Sequence, residues 1–316
     1  MPSDPAAQSP DHFVWQATKV GDRWANYGVA GDGMPVLFLH GWALGQHAYK
    51  RALKRLVRHG CRVYAPAMPG FGGSDDLPGD RFGLAGYAAW VAEFLDAVGV
   101  DEPVFAVGHS FGGAVATKLA HDHPDRVGHL VLVNAVGGST WLRAGTKVRS
   151  MAERPLWHWG MSFPTDLLEV RNLVTLVSAL VEDALPNAVT NPLVLVRAGQ
   201  LARRADLTAE LGALRERRLP VVVLWGDKDT VVPRASFEAL CNAVGAAGTV
   251  VPGRHSWLLA DPDAFGEVMR NSLSVALAAR GLAALEEAEA APGAGRATSR
   301  SARGRVPRPQ PMTPVG

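Results

Sequence analysis

The sequence predicts an α/β protein with a mostly parallel, doubly wound sheet and a helical insertion. The first observation is a series of short apolar runs rich in valine and leucine. Continuous apolarity, as opposed to alternation, is typical of strands buried on both faces of a parallel sheet. The runs are VLFLH (36–40), RVYAP (62–66), PVFAV (103–107), HLVLVNAV (129–136) and VVVLW (221–225).

The second observation is that helix-compatible segments separate most of these runs. They cover residues 47–59, 84–98 and 111–122. Strands that alternate with helices favour a doubly wound parallel sheet. Residues 14–29 alternate more strongly in polarity, and they predict an antiparallel hairpin at one edge of the sheet.

The third observation is that this alternation stops after Asn134. Residues 139–218 contain no convincing strand, and two segments in this range fit helices, 192–204 and 207–216. Asp206 is a plausible N-cap for the second of them. The insertion formed by residues 139–218, called the cap below, also carries an apolar stripe at helical spacing. This stripe predicts packing instead of ligand contact. The stripe consists of Leu167, Val170, Val174, Val177 and Val181.

The predicted organisation is a core interrupted by this cap. The core covers residues 14–138 and 219–285, and the cap covers residues 139–218. Residues 1–13 are polar and prolyl, while residues 286–316 are rich in arginine and nearly free of large apolar side chains. Segments of that composition bury too little surface to offset their ordering entropy, so we expect both ends to be disordered.

The bulk composition excludes several function classes. The net charge of +2 gives no reason to expect a nucleic-acid partner, and no run approaches the ~18 apolar residues of a membrane span. The N-terminus does not resemble a secretion signal, so the expected location is cytoplasmic. Cys61 and Cys241 are the two cysteines, and their spacing suits neither a metal site nor a disulfide framework. The composition leaves the oligomeric state open.

Residues 106–113, AVGHSFGG, place one serine between a buried strand and a helix. The pattern G-x-S-x-G at such a junction is a nucleophile elbow, in which a sharp turn presents the serine at the edge of the sheet. The turn is so tight that Gly108 and Gly112 cannot carry side chains. The sequence therefore makes Ser110 a candidate nucleophile.

A serine hydroxyl is a weak nucleophile unless a base removes its proton. An elbow therefore predicts an acid and then a histidine further along the chain. GDKDTVVP (226–233) follows the last long apolar run and supplies Asp227 and Asp229, and His255 follows in VVPGRHSW. Asp227 is expected in the exposed first turn after the strand, so Asp229 is the better candidate partner for His255.

The negative oxygen that forms during acyl transfer needs backbone N–H donors. One donor should be the residue after the nucleophile, Phe111. Another should come from a loop that follows an earlier strand. LFLHGWALG has that position, and Gly41 permits a turn that points the amide of Trp42 toward the serine.

Together these motifs resemble the α/β-hydrolase fold superfamily, and specifically its serine-nucleophile, esterase- or lipase-like branch with a helical cap. The resemblance covers roughly residues 14–280. The matching motifs are His40-Gly41-Trp42, PGFGGSD (69–75), GHSFGG (108–113), GDKDTVVP (226–233) and His255.

The resemblance implies a triad of Ser110, Asp229 and His255, with Trp42 and Phe111 as oxyanion-hole donors. Asp229 has the spacing of the acid in this family. The other position that the family uses for the acid holds Asn134, with no carboxylate nearby. Relatives commonly have Asp-x-Pro-Gly where this chain has AMPG, so Ala67 replaces an acid in one loop. His109 is interpreted as a structural neighbour of the nucleophile.

Three hypotheses of function remain at this stage. The first is a serine hydrolase that cleaves a small or medium, largely apolar ester without a cofactor or metal. The second keeps the triad but cleaves a carbon–carbon bond in a ring-cleavage diketone, or runs a cofactor-free perhydrolase reaction. The third is a ligand-binding receptor on the same scaffold. The candidate pocket residues for the first hypothesis are aromatic: Trp141, Trp157, Trp159 and Trp257.

Overall fold

The fold is organised around one large sheet. A computed structural model describes residues 11–142, 148–150 and 178–290. The strands of this part of the chain are β1 (Val14–Val20), β2 (Arg23–Ala30), β3 (Met34–Leu39), β4 (Cys61–Pro66), β5 (Val104–His109), β6 (Val127–Val133), β7 (Thr140–Leu142), β8 (Val148–Ser150), β9 (Val221–Gly226) and β10 (Thr249–Val251).

Eight of these strands form the sheet, in the order β1-β2-β4-β3-β5-β6-β9-β10. The two pairings that involve β2 are antiparallel, and the other five are parallel. This arrangement confirms the mostly parallel sheet and its antiparallel edge hairpin. The chain order reverses between β3 and β5, and ligands of such sheets bind at this switch point, beyond the carboxyl ends of the strands.

Helices cover both faces of the sheet. They are α1 (Lys50–Arg58), α2 (Leu84–Ala97), α3 (Phe111–Asp122), α4 (Leu185–Thr190), α5 (Pro192–Arg204), α6 (Thr208–Glu216), α7 (Arg234–Val244), α8 (Trp257–Ala260) and α9 (Pro262–Ala290). One core cluster contains Val104 and Ala106 of β5, and a second contains Phe105 and Val107. Successive side chains of β5 thus enter opposite cores, which explains the continuous apolar run of this strand.

The segment between β6 and β9 contains two short strands that were not predicted. Residues 139–218 were expected to contain no strand, but β7 and β8 pair antiparallel, with Thr140 opposite Ser150. Each strand has three residues, which is too short for a period to emerge in the sequence. Helices α5 and α6 lie where two of the cap helices were predicted. Leu207 is the N-cap of α6, and Asp206, one residue earlier, accepts the Thr208 N–H at 3.3 Å.

In the cap segment 178–190, apolar side chains are exposed and polar side chains are buried. Val181, Leu185 and Val189 are 57%, 57% and 79% exposed, whereas Asp183 and Asn187 are buried. Val181 therefore does not pack into the core as its place in the apolar stripe predicted. The other members of that stripe, Leu167 to Val177, lie outside the described residues.

The buried polar side chains of this segment bind two loops of the core. Asp183 accepts hydrogen bonds from the Ala48 N–H at 2.8 Å and from Nδ1 of His47 at 3.1 Å. Asn187 accepts the Gly72 N–H at 2.8 Å and donates to the Ala43 carbonyl at 3.1 Å. Asp183 and Asn187 face inward because the backbone amides of the two loops need hydrogen-bond acceptors.

The first described residues are packed against the core. Phe13 is 1% exposed and stacks on Trp15, with ring centroids 5.6 Å apart. Asp11 is buried and pairs with Arg58 at 2.8 Å. The disorder expected for residues 1–13 is therefore wrong at residues 11–13, because these side chains find partners that their polar surroundings in the sequence do not suggest.

The chain divides into two compact units, Met1–Leu277 and Ala278–Gly316. The sheet lies in the first unit, and residues 278–290 of the second are helical. The helix continues five residues into the tail that was expected to be disordered from residue 286. The sequence GLAALEEAEA (281–290) explains this, since alanine, leucine and glutamate are strong helix formers. Within the described ranges, no helix combines the length and the apolarity that a membrane span requires.

The buried contacts between Asp183 and the loop before α1 lead to a prediction about stability. Asp183→Ala should lower the free energy of unfolding by about 1–3 kcal/mol, because the buried Ala48 N–H loses its acceptor. Urea unfolding followed by tryptophan fluorescence measures this loss. Asp263→Ala is the matched control, since this aspartate pairs with Arg55 at 2.6 Å but its side chain is 79% exposed. Equal losses in the two variants would contradict the anchoring role of Asp183.

Candidate active site

Ser110 lies in the sharp turn between β5 and α3. Its backbone has φ 52° and ψ −114°, which is unfavourable for a residue with a side chain, and the residue is 4% exposed. A Cβ atom at Gly108 would lie 2.5 Å from the Gly112 carbonyl oxygen, and one at Gly112 would collide with the Leu39 carbonyl. The structure therefore gives a steric reason for glycine two residues before and two residues after the serine.

Neighbouring backbone holds the strained residue in place. The Ser110 N–H donates to the Val133 carbonyl at 3.0 Å, and the Ser110 carbonyl accepts the N–H of Val136 at 3.2 Å. Both partners belong to β6 or to the loop after it. This loop thus stabilises the elbow from the side of the adjacent strand.

Asp229 and His255 form a hydrogen-bonded pair at the same edge of the sheet. Nδ1 of His255 lies 2.8 Å from Oδ2 of Asp229, and both residues are buried. Asp229 follows β9, and His255 follows β10, so both lie beyond the carboxyl ends of parallel strands, as Ser110 does after β5. Because Nδ1–H donates to the carboxylate, Nε2 is the basic nitrogen of the imidazole.

Two further amides fix the other oxygen of this carboxylate. Oδ1 of Asp229 accepts the N–H of Val231 at 2.7 Å and the N–H of Val232 at 2.9 Å. Asp227, by contrast, is exposed and accepts the Gly253 N–H at 2.9 Å. The structure brings Asp229, and not Asp227, to the imidazole of His255.

The predicted oxyanion loop lies beside the elbow. Leu39, at the end of β3, is in register with Gly108 of the adjacent parallel strand. The Gly41 N–H donates to the Tyr49 hydroxyl at 3.1 Å, so the next amide that can face the site is that of Trp42. Phe111 is the first residue of α3, where a helix leaves its N–H groups without intrahelical partners. The two predicted donors therefore lie just beyond the carboxyl ends of β3 and β5, the neighbouring strands of the switch point.

The Trp42 side chain connects this loop to the cap. Its Nε1–H donates to the Leu195 carbonyl of α5 at 2.7 Å. The indole also packs against Gly199, where a Cβ atom would lie 3.2 Å from Nε1. The position of the Trp42 backbone is thus restrained by the cap as well as by the core.

Buried hydrogen bonds join the oxyanion loop to the histidine loop through His109. The Tyr49 hydroxyl, which accepts the Gly41 amide, donates to Nδ1 of His109 at 2.8 Å, and Nε2–H of His109 donates to the His255 carbonyl at 3.0 Å. These partners require a neutral imidazole. Burial, together with the nearby imidazole of His255, lowers the pKa of His109 to about 3.

His40 has a similar structural role. Its Nδ1–H donates to the Gly41 carbonyl at 2.9 Å, and its Nε2 accepts the N–H of Met68 at 2.9 Å. Burial lowers the pKa of His40, which keeps this ring neutral as well. Ala67, which replaces the acid of related loops, is fully buried, and its N–H donates to the Asn26 carbonyl at 2.8 Å.

The proposed aromatic pocket is only partly visible. Trp141 lies in β7, and Trp157 and Trp159 lie outside the described residues. Trp257 is 3% exposed, belongs to a core cluster with Phe265, and donates its indole N–H to Oδ1 of Asn134 at 2.8 Å, so its pocket role stays a prediction. Its place two residues after His255 suggested the pocket, but α8 begins at Trp257 and turns its ring inward.

The residue that sequence reasoning missed is Asn134. It follows β6 directly and is 1% exposed, and its Nδ2 donates to Oδ2 of Asp229 at 2.6 Å. Its Oδ1 accepts the indole N–H of Trp257 at 2.8 Å. The sequence placed Asn134 at the family's other acid position, after an apolar strand, but gave no sign that its amide contacts Asp229. Among the described residues, no group of three or more His, Cys, Asp or Glu side chains is placed to hold a metal ion.

Comparison with known proteins places these motifs in context. A family model described as alpha/beta hydrolase fold matches residues 34–166. The chain is similar to a 2-hydroxy-6-oxo-2,4-heptadienoate hydrolase of Pseudomonas putida, with 32% identity over 237 residues that cover 71% of this chain and 82% of the relative. It also resembles a non-heme chloroperoxidase of Streptomyces lividans, with 40% identity over 106 residues, or 33% of this chain and 38% of the relative.

Among solved structures, the fold is similar to that of an esterase from Exiguobacterium antarcticum. The TM-score is 0.66 and the identity is 20%, over 83% of this chain and 100% of the other. This likeness concerns the fold.

The contacts of the two acids predict different effects of substitution. Asp229→Asn should lower kcat by a factor of about 10⁴, because an amide cannot hold His255 in the tautomer and orientation that a base needs. Asp227→Asn should leave kcat within about threefold, since that side chain contacts only loop backbone among the contacts seen here. Steady-state kinetics of both variants, with circular dichroism as a check on folding, measures the difference. A larger loss in Asp227→Asn would overturn the assignment.

Proposed function

The chain belongs to the α/β-hydrolase fold family, and on that premise we propose that it is a serine hydrolase that cleaves a small or medium, largely apolar carboxylic ester. The observation that carries the proposal is the 2.8 Å hydrogen bond between Asp229 and His255 at the sheet edge where the strained turn presents Ser110. A nucleophile, a base and an orienting acid are the parts that acyl transfer requires.

In the proposed reaction, Oγ of Ser110 attacks the ester carbonyl while Nε2 of His255 takes the hydroxyl proton. The carbonyl oxygen becomes negative and is stabilised by the N–H groups of Trp42 and Phe111. His255 then gives its proton to the leaving alcohol, and an acyl-enzyme remains. Water, deprotonated by the same imidazole, releases the carboxylic acid and regenerates Ser110.

The cap helix beside the oxyanion loop supports an apolar substrate. Val194 and Ala198 of α5 are buried, and the indole of Trp42 packs on the same helix. The guanidinium of Arg197 on the same helix lies 3.7 Å from the ring centroid of Phe82, in a cation–π contact. A charged acyl group placed against Val194 and Ala198 would lose hydration, and neither of these two side chains could supply a charged partner.

A second candidate function rests on the identity with the Pseudomonas relative. The name of that relative gives an anionic dienoate as its substrate, and the carbon–carbon bond cleavage considered above could use the same three residues of this chain. The likeness to a chloroperoxidase keeps the perhydrolase reaction as a further alternative for this triad.

An ester panel tests the proposal. The kcat/KM for a medium-chain p-nitrophenyl ester should exceed that for a matched ester with a terminal carboxylate, and Ser110→Ala should lower kcat by about 10⁴ to 10⁶. A tenfold preference for the carboxylate, equal to about 1.4 kcal/mol, would contradict the apolar substrate. Turnover of the dienoate diketone but of no ester would favour the second candidate. Retention of a tenth of the wild-type rate in Ser110→Ala would show that another residue is the nucleophile.

The protonation of the buried histidines predicts the pH dependence. kcat/KM should rise over about pH 6 to 7, because His255 must be neutral to accept the Ser110 proton. The rise should follow a single proton. The pKa of His109 is about 3, so that ring is already neutral throughout this range and cannot add a second step. A pH–rate profile measures both features, and a flat profile between pH 5 and 8, or a limb that follows two protons, would contradict the prediction.

A further inference from the structure

Asn134 occupies a position between the elbow and the triad acid. It follows β6, which pairs with β5 on one side and with β9 on the other. Its backbone has φ 46°, and its N–H donates to the Leu224 carbonyl of β9 at 2.9 Å. The hydrogen bond to β9 restrains the backbone of this residue, and burial restrains its side chain. The side chain points to the Asp229 carboxylate, which follows β9.

The Asp229 carboxylate has a complete set of donors only if Asn134 is counted. Oδ1 accepts two backbone amides, and Oδ2 accepts His255 at 2.8 Å and Nδ2 of Asn134 at 2.6 Å. A carboxylate can accept about four hydrogen bonds, and each donor limits its rotation. Without the amide of Asn134, Oδ2 would depend on the imidazole alone.

Trp257 determines which way this amide faces. The indole N–H can only donate, so the atom of Asn134 that it meets at 2.8 Å must be the carbonyl oxygen. The NH₂ group is then the part that faces Asp229. This assignment follows from the chemistry of the two partners, and the reverse orientation would place a donor against a donor and an acceptor against a carboxylate.

We propose that Asn134 is a positioning residue for the triad, which holds the Asp229 carboxylate toward His255 and is itself oriented by Trp257. The proposal rests on the proposed function for the role of the triad, but the contacts that it concerns exist without substrate. A neutral donor suits this place. A carboxylate at the same position would lie within hydrogen-bond distance of Asp229, and the two acids would have to share a proton.

The test uses Asn134→Gly, because glycine accepts a positive φ without strain and removes the whole side chain, both the donor to Asp229 and the acceptor for Trp257. We expect kcat to fall by about ten- to hundredfold, as for the loss of a hydrogen bond to a charged group, with KM within about threefold. Trp257→Phe should lower kcat by about threefold or more in the wild-type background and should have no further effect in Asn134→Gly. Asn26→Ala is the matched control, since its half-buried amide donates only to the Gly72 carbonyl among the contacts seen here.

A purely structural role for Asn134 predicts a different pattern. Asn134→Gly would then lose stability in urea but keep kcat within about twofold of wild type, and the effects of the two substitutions on kcat would multiply. Either result overturns the proposal, as does an equal loss of kcat in Asn26→Ala. Trp257→Phe alone keeps the proposal testable if Asn134→Gly does not fold.

A measurement without substrate separates this proposal from the proposed function. The Nδ1 proton of His255 can be followed by proton NMR in the free protein. Its exchange with water should become faster in Asn134→Gly and in Trp257→Phe, and should stay unchanged in Asn26→Ala. An unchanged rate in both test variants contradicts the positioning role. If the exchange responds as expected but wild type hydrolyses no ester, the proposed function is wrong and the positioning role stands.

Discussion

The strained turn at Ser110 is the constraint on which the site depends. A side chain in a left-handed backbone conformation costs about 1–3 kcal/mol, and the surroundings must impose it. Here β6 and its loop bind the Ser110 backbone on one side, while the carbonyl of Leu39 approaches so closely that position 112 must be glycine. The same close approach brings the loop after β3 beside the serine. The elbow and the predicted oxyanion loop are therefore parts of one packing arrangement.

Neutral buried groups then connect the loops of this edge. The hydrogen bonds from Gly41 through Tyr49 and His109 reach the backbone of His255, and they require an uncharged imidazole at position 109. Burial excludes water from this ring. The loss of hydration lowers the pKa of His109, and the low local dielectric constant strengthens its hydrogen bonds. The proposed base differs in that it meets a carboxylate, Asp229, whose other contacts are all donors. Two buried histidines in contact thus have distinct environments.

The sequence was sufficient to predict the buried parallel strands and the candidate triad, because continuous apolar runs and the glycines around Ser110 each have one dominant physical cause. It was not sufficient for the contacts of Asn134, because they depend on a partner 95 residues away and on the direction in which Trp257 donates. The place of Trp257 close to His255 in the chain suggested a pocket role, whereas the structure buries its ring near Phe265 and directs its indole N–H to Asn134. The cap segment with Val181 was misjudged because its inner face meets loop amides instead of an apolar core.

Covalent labelling tests the central claim, that Ser110 is an activated nucleophile, most directly. Diethyl p-nitrophenyl phosphate reacts with a serine hydroxyl when a neighbouring base removes its proton, with release of p-nitrophenolate and formation of a stable diethylphosphoryl serine. The account predicts one adduct per chain, mapped by peptide mass spectrometry to Ser110, and no adduct in Asp229→Asn on the same time scale. An adduct on a different residue, or no adduct on a protein that still turns over esters, would contradict it.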